Sequence, residues 1–424
     1  MLNGRVFCSL LALWLCLCLG AHSAPSEIID FYKLFNNPEP QLSLPSRRTT
    51  AYYLGEHGYP AEHHYVTTED GYILGLFRIP YSHNLQNQNE VRPIAIIQHG
   101  LFSSSDFWPF LGPDDALPFL LADAGFDVWL GNARGNTYSR NHTTRSLKHP
   151  DFWRFSWNEI GYYDIAAMID YSLSTENGQN QAEKAIHYVG HSQGTTVFFT
   201  LMSMRPEYNE KVKTAHMLAP VAFMGNMEDQ MVNSLSPYLG FHNIYSSLFC
   251  SQEFLPYNEF VLALLYNVCR PDSVVTGYCD TDLDNLNING RSNSTASALS
   301  SGTAPAGVST DQILHYMQEH QSGHFRQFDF GRKKNLKVYG TENPPDYPTE
   351  KITCEMHLWY SDNDDMADVD DVLRVAETLP NKVMHHIDDE LWDHMDFASN
   401  WEVRKYINDP VIEIMLEYEV RSRK

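Results

Sequence analysis

The sequence predicts an α/β fold with a mostly parallel central sheet and an inserted helical cap. Short apolar runs typical of buried strands alternate with helical patterns through most of the chain, which favours a parallel sheet covered on both faces. The alternation stops between residues 222 and 348, a stretch too long for a loop. It resumes at residue 349, so the core is predicted to comprise residues 24–221 and 349–424.

Eight short runs define the strands of the predicted sheet. The first two predict an antiparallel meander that leads into the sheet, and the other six are buried-strand patterns. These runs are His64–Thr68, Tyr72–Ile79, Pro93–Gln98, Phe126–Leu130, Ala185–Gly190, Val212–Leu218, Met356–Tyr360 and Val383–Ile387. Helical patterns lie between them, for example at Leu117–Asp123 and Tyr163–Leu173.

The predicted cap, residues 222–348, is rich in aromatic and aliphatic residues and then turns polar from Asn293 to Thr310. Between Leu239 and Cys269 its apolar residues include Phe241, Tyr245 and Leu248. Such spacing usually indicates core packing. In a cap above a site it also suits the lining of a long acyl chain, and both interpretations stay open.

The N-terminus predicts a secretory signal over residues 1–23. Arg5 precedes an apolar run from Val6 to Leu19, and small residues follow up to Ala24. This run is too short to span a bilayer comfortably, and no later stretch is apolar enough to do so. The sequence therefore predicts a protein of the secretory pathway without a transmembrane segment.

Cysteine and asparagine positions fit an oxidising compartment. Cys269 and Cys279 are close enough in sequence to close a small disulfide loop, which is the favoured pair. Cys250 and Cys354 are left open, as a second pair or as free thiols. Two Asn-x-Thr triplets, at Asn141 and Asn293, predict N-glycosylation.

The formal net charge is -23, with a sequence pI near 5.1. Such a surface repels phosphate backbones, which argues against a nucleic-acid partner. The acidic residues are spread along the chain, so a solvated acidic surface is the simpler explanation. Work in an acidic lumen, where carboxylates are partly neutralised, is the alternative.

The motif Gly190-His191-Ser192-Gln193-Gly194 is the main chemical signal. It follows a predicted strand and precedes a helical segment that starts near Thr195, which is the setting of the turn that presents a nucleophilic serine. The bare G-x-S-x-G pattern also occurs by chance, and a structural turn serine is the alternative. In this strand–turn–helix context, Ser192 is predicted to be the nucleophile of an ester hydrolase.

A nucleophilic serine needs a histidine base, and the base needs a carboxylate that orients it. In this type of fold the acid and then the histidine follow the serine in the chain. Asp364 follows the predicted strand that ends at Tyr360, and His394 follows the last one. Competing candidates surround both positions. They are Asp362, Asp365, Asp368, His385 and His386.

An oxyanion hole of backbone N–H groups is also required. One donor is predicted to be Gln193, directly after the nucleophile, and the other Leu101, after the turn His99-Gly100. No zinc-type spacing of His or Cys and no nucleotide-binding glycine motif is visible. The sequence therefore predicts neither a metal nor an organic cofactor.

With these residues in place, the chain resembles the acid lipase family of animals, which includes gastric, lysosomal and insect digestive lipases. The similarity extends over nearly all of the predicted mature chain. The segments that carry it are Gly58 to Pro60, Thr68 to Leu74, His99 to Leu101, Leu121 to Asn132, Arg134 to Ser139, Gly190 to Gly194 and Leu218 to Ala222.

The resemblance implies an α/β-hydrolase core with a cap and lid, and hydrolysis of triacylglycerols or sterol esters, as a lipid substrate at an oil–water interface, without a metal or protein cofactor. It places the nucleophile on Ser192, the acid on Asp364 and the base on His394, and it also matches Cys269 and Cys279. One departure is Ser361-Asp362, where the family has two glycines. A short-chain esterase or thioesterase and a non-catalytic lipid-binding protein are the alternatives.

Overall fold

The computed structural model describes residues 49–175, 184–257 and 304–422. Within them, eleven strands form one large and one small sheet. The strands are β1 Glu62–Thr67, β2 Tyr72–Ile79, β3 Ile94–Gln98, β4 Asp127–Leu130, β5 Asn141–His142, β6 Ile186–His191, β7 Val212–Leu218, β8 Glu253–Phe254, β9 Val308–Ser309, β10 Glu355–Tyr360 and β11 Lys382–His386.

The large sheet has nine strands in the order β1-β2-β4-β3-β6-β7-β10-β11, with β5 paired to β2. β1, β2 and β4 pair antiparallel, and every pair from β4 to β11 is parallel. All residues of β3, β4 and β6 are buried, as expected for central strands covered on both faces. The predicted α/β class, with its antiparallel opening, is confirmed.

Eleven α-helices of four or more residues lie in the described part of the chain. They are α1 Thr50–Glu56, α2 Leu117–Asp123, α3 Ala166–Ser174, α4 Gln193–Met204, α5 Gln230–Leu239, α6 Ile244–Phe249, α7 Thr310–Ser322, α8 Arg332–Val338, α9 Val369–Thr378, α10 Asp396–Ser399 and α11 Asp409–Ser422. α2 matches its predicted bounds. The helix predicted from Tyr163 instead begins with a π-helical turn, Ile160–Ile165, that leads into α3.

Helices α5 to α8 lie in the predicted cap region, and the small antiparallel sheet β8-β9 lies among them. The described part of this region is therefore helical with one short β-ribbon. α5 ends against α7, since a Cβ at Gly240 would lie 2.5 Å from the backbone oxygen of Met317. The side-chain amide of Gln321 also donates to Ser236 Oγ at 2.8 Å.

The parallel strands bring the functional segments to one edge of the sheet. β3, β6, β10 and β11 run in the same direction, so the segments after their C-terminal residues emerge together. In open α/β sheets this edge is where binding sites form. These segments carry the predicted oxyanion turn, nucleophile, acid and histidine.

Several predicted features lie outside the described residues: the signal over 1–23, the pair Cys269 and Cys279, and Asn293. Asn141 is exposed on β5. Among the described residues, Cys250 and Cys354 are free cysteines and are not bonded to each other. None of the described helices is long and apolar enough to cross a membrane.

Candidate active site

Ser192 lies on a sharp turn between β6 and α4. Its φ of 53° and ψ of -120° fall in a region that side-chain-bearing residues rarely adopt, and such strain typically costs about 1–3 kcal/mol. The turn is tight because a Cβ at Gly190 would lie 2.7 Å from the backbone of Gly194. A Cβ at Gly194 would lie 2.4 Å from the backbone oxygen of Gln98 at the end of β3. Only glycine fits at these two positions.

Helix α4 begins at Gln193, directly after this serine. The first N–H groups of a helix lack an intrahelical acceptor and carry a partial positive charge. The N–H of Gln193 is therefore suited to stabilise negative charge beside Ser192. Tyr316 of α7 donates a hydrogen bond to Gln193 Oε1 at 3.3 Å and so holds this side chain in place.

The turn after β3 packs directly against Ser192. A Cβ at Gly100 would lie 3.1 Å from the Cβ of Ser192. His99 is buried, and its Nε2 accepts from the backbone N–H of Ala133 at 3.2 Å and the amide of Asn136 at 3.1 Å. Its Nδ1 therefore carries the proton and donates to the carbonyl of Gly100 at 2.8 Å. This bond fixes the peptide that leads to Leu101.

A buried polar network supports the same turn. The side chain of Asn132 accepts from Ser105 N at 2.8 Å and from the amide of Asn136 at 2.9 Å. Arg134 lies between these two asparagines in the sequence. Its buried guanidinium pairs with the carboxylates of Asp70 and Asp164, with an N···O distance of 2.6 Å in each case. A buried charge is tolerated when paired and hydrogen-bonded in this way. The network holds the segment after β4 against the turn at 99–101.

His394 and Asp364 form a buried pair. His394 Nδ1 lies 2.9 Å from Asp364 Oδ1 and 3.0 Å from Oδ2. The carboxylate also accepts from the backbone N–H groups of Met366 at 3.0 Å and Ala367 at 2.8 Å. Asp364 can only accept when ionised, so Nδ1 carries the proton and Nε2 has a free lone pair. Among the described residues, Nε2 has no hydrogen-bond partner.

Electrostatics favour an ionised carboxylate beside a basic imidazole. Burial raises the pKa of Asp364, but His394 and the two N–H donors outweigh burial and hold that pKa below its ordinary value. Burial lowers the pKa of His394, but the charge and hydrogen bond of Asp364 outweigh it, and that pKa is raised. This arrangement is typical of a histidine that must accept a proton and hold the resulting charge.

The loop that carries His394 is hydrogen-bonded to the turn at Ser192 and to the loop that carries Asp364. His191 Nε2, one residue before Ser192, lies 2.9 Å from the carbonyl of His394 and donates to it. Ser361 Oγ donates to the carbonyl of Trp392 at 2.7 Å. Asp362 points outward and pairs with His386 at 3.1 Å. Ser361 and Asp362 stand where the acid lipase family has two glycines. They thus add one hydrogen bond between the two loops and one exposed carboxylate.

The structure separates the predicted residues from their competitors. Asp364 contacts His394, whereas Asp368 caps α9 through the N–H of Asp370. His385 stacks on Trp359 within the sheet, with ring centroids 3.9 Å apart. Asp365 lies near the pair, and its charge acts on His394. Across the described residues, no group of three or more His, Cys, Asp or Glu is placed to hold a metal ion.

Sequence reasoning missed the residues that hold the loops. It places His99 only in a turn, and it assigns no positioning role to His191 or Ser361. Their function depends on contacts between distant segments, such as His191 with His394, which no local pattern encodes. The only available signal is their position beside predicted site residues.

Two family models match the chain, "Partial alpha/beta-hydrolase lipase region" over residues 50–112 and "alpha/beta hydrolase fold" over residues 93–398. Lipase 3 of Drosophila melanogaster is 43% identical over 85% of this chain and 91% of that protein. Gastric triacylglycerol lipase of Mus musculus is 32% identical over 96% of this chain and all of that protein. The chain belongs to the acid lipase family.

A third member of the acid lipase family, from Crotalus adamanteus, carries the name of a lysosomal acid lipase/cholesteryl ester hydrolase and is 35% identical over 84% of this chain and 88% of its own length. The family models and these relatives together identify the chain as a carboxylic ester hydrolase of the lipase type. The α/β-hydrolase core and the family predicted from the sequence are therefore confirmed.

Proposed function

We propose that Ser192, His394 and Asp364 are the catalytic triad and that the N–H groups of Leu101 and Gln193 form the oxyanion hole. The observation that carries this proposal is the buried His394–Asp364 pair, whose imidazole Nε2 is left without a described partner. His394 lies on a loop that is hydrogen-bonded to His191, the residue before Ser192. That arrangement supplies a base, its orienter and a nucleophile at one edge of the sheet.

In acylation, Ser192 Oγ attacks the ester carbonyl carbon while its proton passes to His394 Nε2. The carbonyl oxygen becomes an oxyanion, which the N–H groups of Leu101 and Gln193 stabilise. The imidazolium is stabilised by Asp364. Collapse of the tetrahedral intermediate breaks the bond to the alcohol oxygen, and that oxygen takes the proton from His394. The products are the free alcohol and an acyl-serine.

Deacylation repeats these steps with water. His394 Nε2 removes a proton from water, and the hydroxide oxygen bonds to the acyl carbon. The second tetrahedral intermediate then expels Ser192 Oγ, which recovers its proton from His394. Because His394 acts as a base in both halves, turnover requires its neutral form. Turnover should therefore fall on the acid side as His394 becomes protonated.

The test is the Ser192→Ala variant, which should lose about 10⁶-fold in turnover of a dissolved ester because the acyl-enzyme cannot form. A fluorophosphonate probe should label the wild type on Ser192 and leave the variant unlabelled. Thr195→Ser, which keeps the nearby hydroxyl of α4, serves as the matched control. Ester hydrolysis that persists in the Ala variant would refute the assignment of Ser192.

We propose neutral lipid esters, triacylglycerols or sterol esters, as the substrates, in keeping with the names of the relatives. The competing activity is hydrolysis of short dissolved esters. Emulsified trioctanoin, triolein and cholesteryl oleate should be compared with dissolved p-nitrophenyl acetate. Higher kcat/KM on the emulsions supports the proposal, and a preference for the dissolved acetate with no gain at the interface supports the short-chain esterase.

We further propose that the corner between α5 and α6, named here the cap corner, contacts the lipid surface. Five large side chains are exposed there by 53–71%: Tyr238, Phe241, Ile244, Tyr245 and Leu248. From Gln230 to Gln252 the sequence contains no Asp, Glu, Lys or Arg, although the whole chain carries a net charge of -23. An uncharged apolar surface of this kind suits a neutral lipid interface. Phe249 of α6 and Phe254 of β8 are buried, and their rings pack with centroids 5.6 Å apart.

The Ile244→Ser, Leu248→Ser double variant should weaken partitioning onto a trioctanoin emulsion by about tenfold or more, because each lost side chain forfeits apolar burial at the interface. Its kcat/KM on dissolved p-nitrophenyl acetate should not change. The matched control is Leu416→Ser, Val420→Ser, which removes two exposed apolar side chains from α11. Equal weakening by both double variants would contradict a specific role for the cap corner.

We propose that residues 222–348 form the cap, that the protein is secreted or lysosomal, that Asn141 and Asn293 are glycosylated and that Cys269 and Cys279 are bonded. The exposure of Asn141 and the gastric and lysosomal names of the relatives support these assignments. Expression in insect cells should yield a product that begins near Ala24 and loses mass on treatment with an N-glycosidase. Removal of both triplets should abolish that mass change.

A further inference from the structure

Helix α7 contacts the start of α4 through a tyrosine. Tyr316 of α7 is buried, and its hydroxyl donates to the side-chain oxygen of Gln193 at 3.3 Å. Gln193 is the first residue of α4 and is itself only 3% exposed. Its backbone N–H is one of the two proposed oxyanion donors. The hydrogen bond therefore joins a helix of the proposed cap directly to a residue of the proposed oxyanion hole.

Other residues of the same segment fix the position of Tyr316. The ring of His315 stacks on Trp157, with centroids 3.7 Å apart and planes 5° apart. Ser309, the N-cap of α7, donates from its hydroxyl to the carbonyl of Trp153 at 2.5 Å. Because these contacts hold α7 at two points along its length, the hydroxyl of Tyr316 is a donor with a fixed position.

The backbone at Ser192 explains why such a donor would matter. With a φ of 53° and a ψ of -120°, Ser192 has a strained conformation, which persists only where the surrounding structure holds it. The N–H of Gln193 belongs to the peptide that directly follows this residue, so its direction depends on how firmly the start of α4 is held. Tyr188 of β6 holds it from the sheet, by donating to the carbonyl of Gly194 at 2.8 Å. Tyr316 supplies a second tyrosine hydroxyl, from α7.

A second buried tyrosine in the same aromatic cluster provides a comparison. The rings of Tyr316 and Tyr347 both pack near Trp157, with centroids 6.0 and 5.6 Å from it. A buried tyrosine hydroxyl usually finds a partner, and Tyr347 donates to Asn158 Oδ1 at 2.6 Å. Tyr316 differs because its partner is a residue of the proposed oxyanion hole. The two tyrosines therefore allow the effect of a buried hydroxyl to be separated from the effect of its position.

We propose that Tyr316 is a positioning residue that acts through Gln193: its hydroxyl holds the Gln193 side chain and, with it, the peptide whose N–H stabilises the oxyanion. This inference rests on the proposed function of Gln193. The N–H is needed most when negative charge develops on the carbonyl oxygen of the substrate. Loss of the hydroxyl should therefore lower kcat and leave KM nearly unchanged.

The test is Tyr316→Phe, which keeps the ring and removes only the hydroxyl. Its kcat on dissolved p-nitrophenyl acetate should fall about tenfold, because a displaced oxyanion donor should cost less than the roughly 10² to 10³-fold of a deleted one. The inhibition constant of a trifluoromethyl ketone should rise by the same factor. Ser192 Oγ adds to the carbonyl carbon of this inhibitor, the proton passes to His394, and the carbonyl oxygen becomes an oxyanion in the same hole. End-point titration with a fluorophosphonate probe gives the concentration of active enzyme.

Two further variants separate position from packing. Tyr347→Phe is the matched control, because it removes a buried hydroxyl that bonds to Asn158, and it should leave kcat and the inhibition constant unchanged. Gln193→Met removes the acceptor and keeps the backbone N–H, so it should match Tyr316→Phe. The double variant should lose no more than either single variant, because both changes break the same hydrogen bond.

An unchanged kcat in Tyr316→Phe would overturn the inference, and so would a higher KM at constant kcat, which is the mark of substrate binding. An equal loss in Tyr347→Phe, or losses that add up in the double variant, would overturn it as well. If Tyr316→Phe does not fold, Gln193→Met decides by the same two constants. Failure of the triad itself would appear separately, as activity retained by Ser192→Ala.

Discussion

Two backbone contacts at the elbow leave no room for side chains. A Cβ at Gly194 would collide with the backbone oxygen of Gln98, and one at Gly190 with the backbone of Gly194. Neither obstacle is the end of a flexible side chain, so relief at Gly194 requires the end of β3 to move away from Ser192. Stability and the proposed catalysis should therefore depend on the same atoms at these positions.

Gly194→Ala should lower the free energy of unfolding by about 3 kcal/mol or more, in the range typical of steric overlap in a packed core. Gly55→Ala is the control, because a Cβ at Gly55 of α1 meets nothing within 4 Å. That change should be neutral or stabilise by up to about 1 kcal/mol, from helix propensity alone. Urea denaturation measures both, and a Gly194→Ala protein as stable as the wild type would contradict the close approach of Gly194 to Gln98.

Asp364→Asn should reduce turnover by about 10³ to 10⁴-fold, because an amide stabilises neither the Nδ1–H tautomer nor the imidazolium. Asp362→Asn, in the same loop but exposed and paired with His386, should stay within a few-fold of the wild type. Steady-state hydrolysis of p-nitrophenyl acetate at pH 7 distinguishes them. If Asp364→Asn were the milder of the two, the acid would have been assigned to the wrong carboxylate.

A row of three histidines on the adjacent strands β7, β10 and β11 takes no part in the proposed reaction. On β7 and β10, the rings of His216 and His357 stack with centroids 4.8 Å apart and planes 10° apart. His357 Nδ1 lies 2.9 Å from His385 Nε2 on β11, and His216 Nε2 lies 3.1 Å from Thr214 Oγ1. Burial lowers the pKa of all three, to about 4 for His385. They are neutral in the folded protein.

Histidines with lowered pKa values make folding stability depend on pH in a fixed direction. The unfolded chain takes up protons at these positions near pH 6.5, while the folded protein takes them up only at lower pH. Their contribution is therefore complete above about 6.5 and is lost as the pH falls from about 6.5 toward 4. Removing one titrating site by His216→Gln should make the decline shallower, by up to about 1.4 kcal/mol per pH unit.

Urea denaturation at several pH values between 4 and 7 tests this. The matched control is His149→Gln, which removes an exposed histidine from outside the row. It should keep the slope of the wild type. A slope in His216→Gln equal to that of the wild type would mean that the buried row does not couple to unfolding.

Strands and helices could be predicted from the sequence where a local pattern of apolar residues defines them. Apolar runs located the eight strands of the predicted sheet to within two residues at either end, and α2 matched in full. The π-helical turn at 160–165 could not be predicted, because its pattern of apolar residues resembles that of an ordinary helix. Chain order and strand position indicated Asp364 and His394, whereas the contacts of His99 and His191 depend on which atoms meet after folding.

In the molecule as a whole, the exposed apolar side chains of the cap corner lie in a stretch of sequence without charged residues, although the chain is strongly acidic. The chain carries a net charge of -23, while the cap corner lies in a stretch without ionised side chains. At neutral pH the overall charge should repel an anionic membrane, and the cap corner should still bind a zwitterionic or neutral one. If the cap corner contacts lipid as proposed, neutral lipid should be favoured by electrostatics as well as by apolar contact.

Binding to anionic phosphatidylglycerol vesicles should rise by about tenfold or more as the pH falls from 7 toward the pI of about 5.1, because the net charge approaches zero. Binding to phosphatidylcholine vesicles should change far less. Flotation of the Ser192→Ala protein at low salt measures both without hydrolysis of lipid. Equal pH dependence on the two vesicle types would contradict a role for net charge.

The order of the site residues along the chain also matters during synthesis. Ser192 and the oxyanion turn at 99–101 precede the last two strands, whereas His394 follows β11 and depends on Asp364 after β10. A ribosome has therefore translated the chain as far as residue 394 before the proposed base exists. We expect a nascent chain to form the turn at Ser192 before the residue proposed to activate it, and so to stay inert toward lipid esters until β10 and β11 have joined the sheet.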